Sequence, residues 1–207
     1  MPEQADQEDR DQSGGRGRFG RARGYTLLII LFALVVGGII AVPATEAVDR
    51  YFSTEQFCAQ ACHVMMATVD AERRQSTHWT TPTGVRAACA DCHVSEGLSM
   101  AMWDHFVASN DLIAFVFEGV RTPEAFEEVR AELADRVRMQ MIANDSKNCR
   151  SCHVMEAIKP ERLRGQRQHA EAIETGITCV ACHYNLVHKD VEPSQEFLQA
   201  IANSTDG

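Results

Sequence analysis

Four short stretches set cysteines beside a histidine: Cys58-Ala59-Gln60-Ala61-Cys62-His63, Cys89-Ala90-Asp91-Cys92-His93, Cys149-Arg150-Ser151-Cys152-His153 and Cys179-Val180-Ala181-Cys182-His183. The last three are C-x-x-C-H; the first carries one extra residue between its thiols. This pattern suits covalent attachment of a porphyrin. Two thiols add to the two vinyl groups on one edge, and the abutting imidazole binds iron from one face. All eight cysteines of the chain fall in these motifs. Zinc would need a second thiol pair or spaced histidines. Disulfides suit an even count in an exported chain, but leave four histidines at one fixed offset unexplained. The expected cofactors are therefore four covalently bound haem c groups, held through Cys58, Cys62, Cys89, Cys92, Cys149, Cys152, Cys179 and Cys182. By motif position alone, His93, His153 and His183 are the proximal iron ligands of haems two, three and four.

Four histidines lie outside the motifs: His78, His105, His169 and His188. Electron-transfer iron in the low-spin state takes a strong ligand on both faces, so these are the distal candidates, foremost His78, His169 and His188. The spacing shows an internal duplication. Cys62 to Cys92 and Cys152 to Cys182 are both 30 positions; His78 follows His63 by 15 and His169 follows His153 by 16. The strings Cys62-His63-Val64-Met65 and Cys152-His153-Val154-Met155 repeat as well. Two dihaem units follow, 50–94 and 146–190. The duplication leads us to expect that His78 reaches a haem of the other unit.

The elements that must carry these groups read as mainly α, with no strand signal. Residues 1–24 are polar and expected to be a disordered cytoplasmic tail. Residues 25–46 form the expected transmembrane anchor: Gly24 to Thr45 holds no charge, and about 22 residues at about 1.5 Å span a bilayer core of about 30 Å. Arg16, Arg18, Arg21 and Arg23 precede it, and Glu46 and Asp49 follow, which puts the N-terminus in the cytoplasm. A cleaved signal peptide fits less well, because the run is long and Glu46 spoils the cleavage site. Residues 47–194 are the expected periplasmic, loop-rich haem domain, and 195–207 a short tail with Phe197, Leu198 and Ile201 as weak helix anchors. Between the units, Thr122 caps a helix with Pro123 at its first position. Phe126, Val129, Leu133, Val137 and Met141 give it one apolar stripe, with Arg130 and Arg138 mostly off it, and it ends near Asn144-Asp145-Ser146. A second helix is expected from Met100 to Phe117. The formal charge of −9 on 207 residues excludes nucleic acid as a partner.

The anchor, the four motifs, and the strings Thr83-Gly84-Val85-Arg86-Ala87-Ala88-Cys89 and Asn144-Asp145-Ser146-Lys147-Asn148-Cys149 resemble the NapC/NirT family of membrane-anchored tetrahaem quinol dehydrogenases, NrfH-like proteins included. The resemblance runs from about Gly24 to Pro193. It implies a mainly helical domain in the bacterial inner membrane that takes electrons from the quinol pool at the outer face. They would pass to a periplasmic redox enzyme of nitrate, nitrite or hydroxylamine oxidoreductase type; a homo-oligomer is compatible with it. It also implies Met65 as an iron ligand of haem one, as in the NrfH branch, with the other face open. His63 is the alternative by motif position, and Met155 at the same offset after motif three shows that the offset alone does not choose. In relatives a lysine helps bind quinol near haem one; here His105 stands in that region, and Asp111 aligns with a carboxylate beside haem one. Both are expected in the quinol pocket, where oxidation releases two protons; histidine as a type titrates near neutral pH.

Two departures stand out: the three-residue spacer in motif one, and the missing lysines. The ending Tyr184-Asn185-Leu186-Val187-His188 resembles the subgroup found beside hydroxylamine oxidoreductase, so the reverse current is the alternative: electrons from such an enzyme reduce ubiquinone. A small-ligand sensor or reductase at an open haem one is the third expectation.

Overall fold

Helix α1 runs Glu3–Phe52, and its apolar stretch explains itself by composition. The segment Gly24–Phe52 has a mean hydropathy of 2.9 over its most apolar 18 residues, and side chains such as Leu27, Ile29 and Phe32 are exposed. A helix apolar all round and uncovered needs a non-aqueous surround; it fits a single-pass membrane anchor. The computed structural model describes residues 3–61 and 63–205, with side chains over 24–204 except those of residues 62 and 63. The disordered tail expected over 1–24 therefore falls almost wholly on side chains outside the described residues. The chain divides into two compact units, Met1–Val48 and Asp49–Gly207.

The second unit is helical, and among the described residues no strand forms. Helix α2 spans Leu98–Ile113 and continues into a π-helical turn, Ala114–Glu118. Helix α3 spans Pro123–Ala143. It starts where its sequence signals, with the Ala125 amide donating to Thr122 Oγ1 at 3.2 Å and proline placed where no backbone donor is needed. Helix α4 is Leu163–Thr175, stopped by Gly176 at φ 71°, a left-handed conformation that glycine takes without strain. Helix α5 is Gln195–Thr205. The sequence offered only weak anchors there, yet Phe197 is 0% exposed and packs on Tyr184 at 5.7 Å.

The core is small. Ala59, Val64, Ala101, Phe126, Val180, Ala181 and Phe197 are the buried apolar residues among those described. Three buried arginines do much of the cross-linking. Arg73 donates to Asp70 and Glu55, both at 2.7 Å, and to the Ala87 carbonyl at 2.9 Å. Arg130 donates to Glu72 at 2.7 Å and also pairs with Glu127. Arg138 donates to Asp135 and Asn185, both at 2.7 Å, and to the Val191 carbonyl at 2.8 Å. Each guanidinium also lies over an aromatic ring: Arg73 on Trp79, Arg130 on Phe126, Arg138 on Tyr184. This corrects the expectation that Arg130 and Arg138 stay off the packed stripe of α3. Five donors in a planar fork let arginine be buried when carboxylates and carbonyls meet it.

Candidate haem-binding site

Cys58 sits on the π-helical turn Gln56–Gln60, Cys89 and Cys92 on the short helix Cys89–His93, Cys149 on Lys147–Arg150 with Cys152 in the turn just after it, and Cys179 and Cys182 on Cys179–Cys182. Helices this short cannot hold themselves, and a polar clasp ties each motif to the next. From motif one to two, Glu55 accepts from Arg73 and from the Cys89 amide at 3.3 Å. The Cys58 and Cys89 thiols influence each other, which lowers Cys58 to about 7 and raises Cys89. From two to three, Asn148 Nδ2 donates to the Val94 carbonyl at 2.6 Å and the Asp91 carbonyl at 3.2 Å. From three to four, the Ser146 and Thr178 hydroxyls lie 2.6 Å apart, and the Val180 amide donates to Ser146 Oγ at 3.1 Å. The four motifs thus adjoin in chain order. Cys62 lies outside the described residues, as does the side chain of His63.

Six histidines face one another in twos. The ring centres of His78 and His153 are 6.1 Å apart, those of His93 and His188 6.2 Å, and those of His169 and His183 6.1 Å. Two metal–nitrogen bonds of about 2 Å, one on each side of an ion, put imidazole centres about 6 Å apart. The chain thus brings imidazoles together two at a time, a spacing that suits iron already held by a porphyrin. Among the described residues no group of three or more His, Cys, Asp or Glu comes together that could hold a bare ion.

The protonation chemistry agrees with ligation. Metal binds neutral imidazole. The protein atoms crowded around its ring, and then the charge of His188, hold His93 down to about 4, although the residue keeps an exposed surface. His78 is lowered by burial and His153, His183 by burial and His169, and His188 mainly by burial. His169 Nδ1 donates to the Gly165 carbonyl at 2.9 Å, which fixes the tautomer and leaves Nε2 free to ligate, the usual outer-sphere support of a metal-binding histidine. The Nδ1 of buried His78 has no hydrogen-bond partner. These residues fit haem c.

Met65 closes the short helix His63–Met65, whereas Met155 opens a 3-10 turn, Met155–Ala157, after an extended Val154. The same offset therefore lies on different backbone in the two units.

The two expected quinol residues are not brought together. His105 is mostly buried, its Nδ1 3.2 Å from Asp49 Oδ1, yet neither ring nitrogen and not that oxygen makes a hydrogen bond. Its ring lies 5.9 Å from Phe52. Asp111 is on another side of α2, exposed and 3.2 Å from Arg136; crowding raises its carboxyl, with Arg136 pulling the other way. Asp49 is the partner that sequence reasoning missed. Its only signal was position, in the first charged residues after the apolar run.

Motifs joined in chain order and histidines facing across a metal's width define a multihaem c-type cytochrome, an electron-transfer protein. The profile of the NapC/NirT cytochrome c family, N-terminal region, matches residues 21–193, and the chain belongs to that family. It is 36% identical to the denitrification system component NirT of Stutzerimonas stutzeri over 79% of this chain and 82% of that one. It is 36% identical to a putative tetraheme cytochrome of Allochromatium vinosum, over 79% and 89%. With the cytochrome c-type protein NapC of Escherichia coli K12 it shares 35%, over 81% and 86%. No solved structure matches it.

Proposed function

We propose that this chain is an inner-membrane tetrahaem cytochrome that oxidises quinol at the outer face and passes the electrons singly to a periplasmic redox enzyme. The observation that carries this is the row of three facing histidine pairs on motifs clasped in sequence. The arginines before the apolar run and the acids after it support an N-terminus in the cytoplasm.

Haem c, when bound at each motif, supplies a one-electron iron couple. Everything else falls to the chain. Cys58 and Cys62, Cys89 and Cys92, Cys149 and Cys152, and Cys179 and Cys182 hold the four groups. His78 with His153, His93 with His188, and His169 with His183 would hold the iron of three of them. Met65 or His63 serves the first. Quinol oxidation releases two protons, and His105 with Asp49 beside it takes them. The similarity to NirT, a denitrification system component, supports an acceptor of nitrogen-oxide type.

The test is anaerobic addition of a short-chain menaquinol or ubiquinol to the purified full-length holoprotein. The haem bands should reduce. His105→Gln and Asp49→Asn should slow that reduction while leaving dithionite reduction intact. A holoprotein that stays oxidised with both quinols sinks the proposal.

A further inference from the structure

Helix α2 has two sides in use and one side bare. On one flank, Asp104 accepts from the Ser95 amide at 2.7 Å and from Gln140 at 3.3 Å, and Asp111 meets Arg136 at 3.2 Å. On another, His105 meets Asp49 and Phe52. That second side is also the side of motif one, since Phe52 packs on Phe57 at 4.7 Å and Cys58 Sγ donates to the Phe52 carbonyl at 3.4 Å. The remaining side carries Met100, Trp103, Phe106, Val107, Ile113 and Phe117. These recur at three- and four-residue steps with one longer gap at Asn110. Trp103 is 58% exposed, Phe106 68% and Phe117 80%. Trp103 and Phe106 stack at 5.6 Å, so the patch is continuous. Contiguous apolar surface of this kind marks a contact.

Covalent connectivity names the occupant. Asp49, which touches α2, lies seven positions after Val42, the last residue of the apolar run. Seven residues reach about 10 Å as helix and about 25 Å fully extended. Whichever way the domain turns, this tether keeps Asp49, and the His105 end of α2 that touches it, within about 25 Å of the end of the apolar run. Tryptophan and phenylalanine are the side chains that settle at the bilayer interface. We propose that α2 is a second membrane contact, lying in the outer lipid interface with its Trp103–Phe106–Phe117 face among the upper acyl chains. The helix carries Asp104 and Asp111 and no lysine or arginine. Its binding is therefore apolar and indifferent to anionic lipid, unlike the usual basic interfacial helix.

The experiment uses the full-length holoprotein in liposomes containing a phospholipid with a photoactivatable acyl chain, read by peptide mass spectrometry. Peptides covering α2 should be labelled to an extent comparable with 24–52. They should exceed by several-fold those containing Val85 and Leu163, which are equally exposed but elsewhere. Labelling should be unchanged between neutral and anionic lipids, and Trp103→Glu with Phe106→Glu should abolish it in a holoprotein of unaltered haem content. An unlabelled α2 beside a labelled 24–52 overturns the proposal. So do photo-independent cross-links joining α2 of two chains, which would assign the face to a second copy.

Discussion

His188 shows how much one side chain is asked to hold in this cytochrome. Its ring faces His93 at 6.2 Å, and its Nδ1 lies 3.8 Å from Glu72, itself gripped by Arg130. The next residue, Lys189, donates its amide to Glu72 at 3.0 Å and its ammonium to Glu127 at 2.8 Å, so the backbone is fixed on the far side of the ring. In the proposed ligand set, His188→Ala leaves all thioether bonds in place and removes one axial nitrogen. The expected result is unchanged haem content by pyridine haemochrome. Electron paramagnetic resonance should show one low-spin centre turned high-spin and the other histidine pairs untouched. A spectrum identical to wild type would take His188 out of the ligand set.

At the scale of elements, the join between α3 and motif three is the most demanding. Asp145 and Ser146 both adopt left-handed backbone, at φ 54° and 49°, which costs about 1–2 kcal/mol for each non-glycine residue. The structure offsets that with bonds. The Ser146 amide donates to the Met141 carbonyl at 2.7 Å, and its hydroxyl, in a residue 1% exposed, meets Thr178 and the Val180 amide. One residue thus closes α3 and clasps motif three to motif four. Ser146→Ala strands a buried amide and a buried hydroxyl, and should destabilise by about 1–3 kcal/mol. Ser146→Gly should lose less, because glycine accepts the backbone freely. Denaturant unfolding followed at the Soret band measures both. An alanine variant as stable as wild type would show the clasp to be idle.

Across the motif-bearing unit, arginine–carboxylate hubs hold together what a small apolar core cannot. Burial alone would raise Asp70 and Asp135, but hydrogen bonds from Arg74 and Arg73 to the first, and from Ser194 and Arg138 to the second, outweigh it and leave both below the usual range. Glu127, fastened by Arg130 and then Lys189, is held down to about 2. A carboxyl depressed in the folded state stabilises it above an unfolded value of about 4. That contribution is lost as pH falls through the folded value. Asp135→Asn should therefore lower the thermal midpoint near neutral pH and converge on wild type as pH falls below the depressed folded value of Asp135. A gap of equal size at both ends would mean that Asp135 acts through shape rather than charge.

Much of this cytochrome was readable in the chain, because the signals are local. The abutting histidines announce haem wherever they fold. The uncharged run from Gly24 to Thr45 announces a span. Thr122 and Pro123 start α3 through bonds made within one turn. The duplication was equally plain, but the two units do not use their histidines alike: His169 faces His183 inside its own unit, His78 faces His153 of the other unit, and His188, outside the repeat pattern, faces His93. Which imidazoles meet depends on how turns far apart in sequence are clasped, by Asn148 on Val94 and Glu55 on Cys89, and no periodicity records that. The same holds for Asp49 beside His105 and for the burial of Arg130 and Arg138. Residue type and spacing specify what a group can bind; its partner is chosen by long-range packing, in which charge, burial and chain path act together.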